Sequence, residues 1–519
     1  MQSVFKRYKD IILAIVSGML LIFAFPPFDI FPLAWFALLP LLIAIYEKRA
    51  KPSFLLGILS GLVFFLGTIY WVFHPVYFYG GMPLVVAVLI TILLAGYLSL
   101  YTGLFSMAFS SLSKRTRFPA IFIAPLLWTT LEFIRSYALT GFPWVLLGYS
   151  QYRFLPLIQV SDITGVYGIT FLVVGMNGLL FDMLFLSPQR SRRMPLLGSG
   201  PMTVGAIVYV LVVIISLIYG EWMLSSGDRG RSFKVSVIQG NIRQDVKWDK
   251  RFQDEVIDKY KRLMLKALDD SPDIIVLPES ALPFIFGYDS SLTNEFLEFQ
   301  KGLGRYLLFG SVLMKDIKDG RSIVSNSAVL LSPDGEVVST YDKIHLVPYG
   351  EYVPMRSLFP FIDKLVVAIG DFVKGKEYVV MKTPFADIGN LICYEIIFPG
   401  LVRKFVNNGA NLLVTITNDA WFGRTSAPYQ HFSMAIFRAV ENRTPVIRSA
   451  NTGISGFIDA RGRIIKKGGI FKEEVLSIDV STHVSKKTFY TRYGDLFAFS
   501  CIIVTVMLML NMVIPERED

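Results

Sequence analysis

Cysteine, histidine and charged residues are scarce in this chain of 519 residues, and each shortage excludes a class of protein. Two cysteines are too few for a disulfide scaffold, and four scattered histidines do not suggest a cysteine–histidine metal cluster. Charged residues make up only 18% of the chain, whereas soluble domains contain about a quarter. With 53% hydrophobic residues and a mean hydropathy of +0.51, the composition indicates a membrane protein that also carries a polar part.

Long apolar runs fill the first part of the chain, and one more lies near the C-terminus. A bilayer core requires about 20 apolar residues in helical form. The pattern predicts eight membrane-spanning helices, namely Ile11–Phe25, Phe31–Tyr46, Phe54–Phe73, Met82–Leu100, Phe118–Phe133, Val166–Leu186, Met202–Tyr219 and Leu496–Ile514.

Basic residues cluster at the N-terminus and after every second predicted span. The loops between these clusters contain almost no lysine or arginine, which is the pattern of the positive-inside rule. We therefore expect both termini in the cytoplasm and the large polar segment outside, in the periplasm of a bacterium. The clusters also explain the net charge of +10 without a nucleic-acid partner; they are Lys6, Arg7, Lys9, Lys48, Arg49, Lys51, Lys114, Arg115, Arg117, Arg190, Arg192 and Arg193.

The span count predicts three regions: residues 1–224 with seven spans, residues 225–493 as one extracytoplasmic domain, and residues 494–519 with the last span and a tail. Strands and helices share the middle region. Residues 233–239 alternate like a strand, residues 250–268 form an amphipathic helical pattern, and residues 411–417 are typical of a buried strand. An α/β or layered α+β domain is expected.

Three side chains of the polar region suit nucleophilic catalysis. Glu279 follows a short apolar run, Lys343 lies in a Tyr-Asp-Lys-Ile-His segment, and Cys393 ends another apolar run. A carboxylate can take the proton of a thiol, and an ammonium group favours the thiolate and stabilises an oxyanion. The backbone N–H of Tyr394, which follows the cysteine, would be a second oxyanion donor. Alone, each residue has an ordinary structural explanation, so the hypothesis requires that the fold brings them together.

The order Glu279, Lys343, Cys393 in these contexts resembles the nitrilase, or carbon–nitrogen hydrolase, superfamily. The whole chain is similar to the apolipoprotein N-acyltransferase family, in which a nitrilase-like domain precedes the last of eight spans. Arg243 departs from the family pattern, where proline is expected. Further matching segments are Gly141–Trp144, Gln239–Ile242, Tyr349–Pro354, Cys393–Glu395 and Asn418–Gly423.

The resemblance implies a four-layer α-β-β-α sandwich and an acyl-enzyme on Cys393. It also implies a two-step reaction with two lipid substrates in the bacterial inner membrane. The acyl donor would be a phospholipid, with phosphatidylethanolamine favoured, and the acceptor the N-terminal cysteine amine of a diacylglyceryl apolipoprotein. Neither a metal nor an organic cofactor is needed.

Four further residues are functional by the same resemblance. Glu351 is expected to orient Lys343 or Glu279 through a hydrogen bond. Trp248 would wall an acyl-chain cleft, although ordinary core packing explains it equally well. Tyr394 and Glu395 have alternative explanations as a sheet-packing residue and a surface residue.

Other readings remain open from the sequence alone. The apolar segment Met355–Phe372 is either a lid that touches the bilayer or a core helix of the polar domain. A membrane-anchored nitrilase-like amidase, with water as acceptor, is the main enzymatic alternative. A transporter or a catalytically inactive scaffold is the non-enzymatic alternative. The sequence does not indicate an oligomeric state.

Overall fold

The computed structural model describes residues 2–115, 118–185, 201–226, 230–318, 321–348, 350–352, 371–482 and 486–511. The chain forms two compact units. The first comprises Met1–Phe73, Val85–Ser225 and Tyr493–Asp519, and the second comprises His74–Leu84 and Ser226–Arg492. The segment Met355–Phe372, for which a lid or a core helix is expected, lies outside the described residues up to residue 370.

The first unit is α-helical because its sequence consists of long apolar runs with few helix-breaking residues. Among the described residues, four helices are long and apolar enough to cross a membrane: Ala50–Tyr79, Leu84–Arg115, Val166–Phe185 and Thr203–Ser225. Large aliphatic side chains on them face outward; Leu93 is 70% exposed and Ile218 is 66% exposed. Such surfaces are unfavourable in water and match a lipid environment.

Of the other four predicted spans, the first lies within a continuous helix, Gln2–Phe23, and the remaining three are shorter or interrupted. The run 31–46 was predicted as one helix, and this was wrong: it forms a 3₁₀ helix, Phe31–Trp35, and a short α-helix, Leu39–Ile45. Pro32 and Pro40 explain the break, because proline starts a helical turn readily but cannot continue one. The remaining helices of this unit are Gln2–Phe23, Ala120–Arg135, Leu155–Ile158, Ser161–Thr164 and Leu496–Asn511.

Small and polar side chains hold these helices together. A Cβ atom on Gly61 would lie 2.9 Å from the Cα atom of Ser99, so this helix pair requires glycine for its close approach. The carboxylate of Asp182 accepts hydrogen bonds from the backbone N–H groups of Ala120 and Ile121, both at 2.9 Å. Those N–H groups open a helix and have no partner within it.

The described part of the second unit contains two β-sheets. Their strands are β1 Ser232–Gln239, β2 Ile274–Val276, β3 Ile285–Phe286, β4 Tyr306–Lys318, β5 Arg321–Leu331, β6 Val337–Asp342, β7 Asp371–Phe372, β8 Val380–Lys382, β9 Asp387–Ile392, β10 Leu412–Thr417, β11 Val446–Ala450, β12 Gly456–Ile458, β13 Ile464–Lys467 and β14 Glu474–Ser481. The first sheet has the strand order β14-β1-β2-β4-β5-β6, with β3 beside β4 and β7 beside β5. The second sheet has the order β13-β12-β11-β10-β9-β8.

The two sheets pack face to face. The hydroxyl of Ser449 on β11 shares its single proton between the carbonyls of Ile238 on β1 and Val276 on β2, which lie 3.1 and 3.2 Å away. Helices cover the outer faces; they are Gln253–Ala267 and Ser290–Leu303 on the first sheet, and Pro399–Asn407 and Ala427–Asn442 on the second. The α-β-β-α sandwich expected for the polar domain is therefore present.

Parallel pairing collects several strand ends at one edge of each sheet. Strands β1, β2 and β4 are parallel neighbours in the first sheet, as are β9, β10 and β11 in the second. Loops that follow parallel strands commonly carry the functional side chains of such folds. Here these loops contain Glu279, Cys393 and Asn418, and Lys343 follows β6 directly.

Candidate active site

Cys393 follows β9 directly and has a φ angle of +52°, in the left-handed region that side chains other than glycine seldom adopt. Holding a non-glycine residue there costs about 1–3 kcal/mol, and such strain is common at functional sites. The Cys393 side chain is buried. The turn thus presents a strained, water-shielded thiol at the end of a parallel strand.

Glu279 is buried and held from two sides. The backbone N–H of Asn418 donates to its Oε2 atom at 2.9 Å, and the side-chain amide of Asn326 donates to its Oε1 atom at 2.8 Å. Both donors bind carboxylate oxygens, so together they orient the Glu279 side chain. This geometry fixes the carboxylate from both sheets, through the middle of β5 in the first and the end of β10 in the second.

Lys343 is only 1% exposed and lies between two carboxylates. Its Nζ atom is 2.9 Å from Glu351 Oε1 and 3.5 Å from Glu279 Oε1. Burial lowers the pKa of the ammonium group, but the charges of Glu351 and Glu279 outweigh burial and raise the pKa above its ordinary value. Lys343 is therefore a permanent cation in this site.

The thiol of Cys393 shares the electrostatic field of Glu279 and Lys343. Burial and the Glu279 charge raise the pKa of the thiol well above its ordinary value, and the Lys343 ammonium only partly opposes them. The resting group is thus a neutral thiol, which needs a base to become a nucleophile. The structure brings all three residues of the predicted set together: Glu279 contacts Lys343, and the charges of both act on the Cys393 thiol.

Glu351 makes the contact with Lys343 that the sequence analysis expected. Its Oε1 atom also accepts a hydrogen bond from Asn326 at 2.8 Å, and its Oε2 atom accepts one from the backbone N–H of Val347 at 2.7 Å. Asn326 therefore donates to both Glu279 and Glu351 and sets the spacing between the two carboxylates.

Glu395 is fully buried, so its interpretation as a surface residue was wrong. Its Oε1 atom accepts hydrogen bonds from the hydroxyl of Tyr341 and the backbone N–H of Ile344, both at 2.7 Å. Its Oε2 atom accepts one from the backbone N–H of Ile392 at 2.8 Å, and burial raises the pKa of the carboxyl to about 7. Glu395 ties the chain before Cys393 to the chain after Lys343.

Tyr394 and Trp248, the other two residues expected to be functional, differ in burial. Tyr394 is buried and packs edge-to-face on Phe398, with ring centroids 5.1 Å apart. Trp248 is partly exposed, and its place in an acyl-chain cleft stays a prediction.

Lys247, the neighbour of Trp248, was missed by the sequence analysis. Its side chain is buried, and its Nζ atom donates a hydrogen bond to the backbone carbonyl of Glu279 at 2.9 Å. Burial lowers the pKa of Lys247 to about 8, against the opposing charges of Glu279 and Cys393. A lysine in a polar loop is usually solvated, so no local signal distinguishes this one.

A cavity of about 470 Å³ opens beside the site. Gln244, which lines it, accepts a hydrogen bond from the side chain of Asn418 at 2.7 Å. Two arginines also line it: Arg243 pairs with Asp245, and Arg424 lies over the ring of Phe471 at 4.6 Å. Among the described residues, no group of three or more histidine, cysteine, aspartate or glutamate side chains is placed to hold a metal ion.

Comparison with known proteins first identifies the class of protein to which the second unit is similar. The sequence profile of the carbon–nitrogen hydrolases matches residues 234–488, which include Glu279, Lys343 and Cys393. An amidase from Nesterenkonia sp. is a similar solved structure, with a TM-score of 0.39 and 18% identity; the match covers 52% of this chain and 96% of that one. By the profile match, the second unit contains a carbon–nitrogen hydrolase domain.

The full chain is similar to a narrower group. A profile described as the apolipoprotein N-acyltransferase N-terminal domain matches residues 17–179. The apolipoprotein N-acyltransferase of Geobacter metallireducens is 45% identical, over 95% of this chain and 93% of that one. That of Haemophilus influenzae is 31% identical, over 99% of this chain and 97% of that one. The chain belongs to the apolipoprotein N-acyltransferase family.

Proposed function

We propose that this acyltransferase moves an acyl chain from a membrane phospholipid to the N-terminal cysteine amine of a diacylglyceryl lipoprotein, through a thioester on Cys393. Family membership supports lipoprotein N-acylation, and the arrangement of the site supports this route. The observation that carries the route is the buried contact of Lys343 with Glu279 and Glu351 beside a neutral thiol.

In the first half-reaction, Glu279 takes the proton from Cys393 Sγ, and the thiolate attacks the ester carbonyl of the phospholipid. A carbon–sulfur bond forms, and the Lys343 ammonium and the Tyr394 N–H stabilise the oxyanion. The carbon–oxygen bond then breaks. Glu279 returns its proton to the alkoxide, and a lysophospholipid leaves.

In the second half-reaction, the neutral amine of the lipoprotein attacks the thioester carbonyl. Glu279 takes a proton from the attacking nitrogen, and the same two donors hold the second oxyanion. The carbon–nitrogen bond remains and the carbon–sulfur bond breaks. Cys393 recovers its proton from Glu279, so the enzyme returns to its starting state with an amide as product.

The supporting residues have separate tasks in this scheme. Glu351 holds Lys343 in place, and Glu395 holds the backbone on both sides of the site. Trp248 lines the acyl-chain cleft. The cavity beside Asn418 receives the phospholipid head group, because the guanidinium groups of Arg243 and Arg424 match a phosphodiester.

The same proposal gives the donor and the location. Phosphatidylethanolamine is the donor, and the chain crosses the bacterial inner membrane eight times. Residues 225–493 form the periplasmic catalytic domain, between spans within 1–224 and a last span within 494–519, with both termini cytoplasmic. The alternating basic clusters and the outward-facing aliphatic side chains support this location.

Intact-protein mass spectrometry tests the two half-reactions separately. After incubation with phosphatidylethanolamine alone, we expect a hydroxylamine-labile acyl adduct on Cys393 that a diacylated lipopeptide amine removes. Cys393→Ala should form no adduct, whereas Cys501→Ala, which changes the other free cysteine, should react normally. An adduct that water clears while the lipopeptide stays unmodified would instead favour an amidase or lipase.

A further inference from the structure

The backbone carbonyl of Cys393 has a side-chain partner that the proposed mechanism does not use. The Nε2 atom of His431 lies 3.2 Å from this oxygen. His431 belongs to the helix Ala427–Asn442, which covers the outer face of the second sheet, and its side chain is fully buried. A buried histidine that contacts the peptide of the nucleophile can act on the geometry of that peptide.

The acceptor determines which way this hydrogen bond runs, because a carbonyl oxygen can only accept and the contact therefore requires a proton on Nε2. Nδ1 of His431 lies 3.0 Å from Arg448 Nη2 and 3.1 Å from Asp419 Oδ1. In a neutral ring with its proton on Nε2, Nδ1 accepts from Arg448, and the Asp419 carboxylate pairs with Arg448. Burial, together with the charge of Arg448, lowers the pKa of His431 and favours the neutral ring. The ring proton then resides on Nε2 and points to Cys393 O.

Arg448 and Asp419 are themselves immobilised. Arg448 Nη2 lies 2.8 Å from Asp419 Oδ2, and the hydroxyl of Thr417 donates to Asp419 Oδ1 at 3.0 Å. Arg448 also donates to the backbone carbonyl of Ile454 at 3.1 Å. Arg448 and Asp419 are fully buried, so water does not compete for these bonds.

The strained turn at Cys393 needs support on both of its sides. Glu395 holds the backbone N–H of Ile392, the residue before the cysteine. Relaxation of Cys393 to a negative φ angle would move Sγ relative to Glu279 and would reorient the following N–H of Tyr394. A bond to the Cys393 carbonyl opposes this relaxation from the other side.

We propose that His431 is a positioning residue: its Nε2–H holds the Cys393 carbonyl, and Arg448 and Asp419 fix the imidazole ring that donates it. This role rests on the proposed function of Cys393 as nucleophile. It concerns a contact to the backbone of Cys393, and His431 itself does not touch substrate.

The first test compares two substitutions with different hydrogen-bonding capacity. His431→Phe fills the site without a donor, and His431→Gln retains an N–H. We expect His431→Phe to lower kcat for acyl transfer and the rate of Cys393 alkylation by iodoacetamide about 10²-fold, with KM within about twofold. His431→Gln should recover at least a tenth of the activity. Ser433→Ala, which removes another buried hydrogen bond of the same helix, should react normally.

Equal losses in both His431 variants, or normal alkylation in a folded His431→Phe protein, would overturn the positioning role. If Cys393→Ala still transfers acyl groups, the proposed function fails instead. A second measurement needs no variant. Nitrogen NMR of the full chain with labelled histidine should show a neutral His431 ring with its proton on Nε2, and a proton on Nδ1 would refute the proposal.

Discussion

Lys343 offers the most direct test of oxyanion stabilisation, because its ammonium group is buried and cannot be replaced by water. We expect Lys343→Met to lower kcat about 10²–10³-fold, the loss typical of a removed oxyanion donor. Acyl-enzyme formation from phospholipid, followed by mass, measures this directly. Lys315→Met is the matched control, because Lys315 pairs with Asp342 at 2.8 Å on the surface. A Lys343→Met enzyme with more than half of normal activity would contradict the assigned role.

Lys247 makes a prediction about stability and pH. Its pKa is about 8 in the folded chain and 10.5 in an ordinary environment, so folding favours the neutral amine. The stabilisation from this group is complete above pH 10.5 and is lost as the pH falls through 8. Relative to Lys247→Met, the wild-type protein should gain about 3 kcal/mol of unfolding free energy between pH 7 and 10.5.

Thermal unfolding of both proteins in the same detergent at several pH values measures this difference. Lys266→Met, which alters an exposed lysine, should leave the pH dependence unchanged. If the stability of wild type and of Lys247→Met changes with pH in the same way, the pKa of Lys247 is not lowered in the folded chain.

The strand β4 passes so close to the Glu279 loop that only glycine fits at position 310. A Cβ atom there would lie 2.6 Å from both Glu279 Cα and Ser280 N. Gly310→Ala must therefore displace the main chain at Glu279, the proposed base, and we expect kcat to fall at least tenfold. Gly302→Ala is the control, since a Cβ atom there meets nothing within 4 Å. Equal activity of the two variants would contradict this prediction, because the Glu279 loop would then accommodate the added Cβ atom without loss of function.

The loop at Arg424 should govern recognition of the donor head group. Arg424→Gln is expected to raise KM for phosphatidylethanolamine about tenfold, through loss of a charge-assisted hydrogen bond to phosphate. An acyl thioester donor without phosphate should react at the normal rate. Arg463→Gln, at an exposed ion pair with Asp459, is the control. A similar loss with both donors would exclude a head-group role.

The orientation of the whole chain is testable by cysteine labelling in intact cells. In a Cys393→Ala, Cys501→Ala background, Lys266→Cys should react with a membrane-impermeant maleimide. Lys114→Cys, at the end of Leu84–Arg115, should react only after permeabilisation. The opposite labelling pattern would show that the chain has the reverse orientation in the membrane and would contradict the proposed topology.

Much of the architecture follows from local patterns that can be read along the chain. Apolar runs of about 20 residues predict helices such as Leu84–Arg115. In lipid the backbone N–H and C=O groups must pair within the protein, and a helix pairs them within one segment. Period-two and period-3.6 patterns predict strands such as β1 and helices such as Gln253–Ala267, because each element must bury one face. The order and contexts of Glu279, Lys343 and Cys393 were likewise sufficient to name the family.

Only the tertiary structure decided the features that depend on contacts between residues far apart in sequence. Three such features have no counterpart in the hydrophobic periodicity of the sequence. They are the interruption of the run 31–46, the grouping of residues 74–84 with the second unit, and the burial of Lys247. Asn326 links two carboxylates and His431 meets the Cys393 carbonyl only because strand register brings them together. Local sequence determines which face of an element is apolar, whereas the partner of a polar group depends on chain segments far away in sequence.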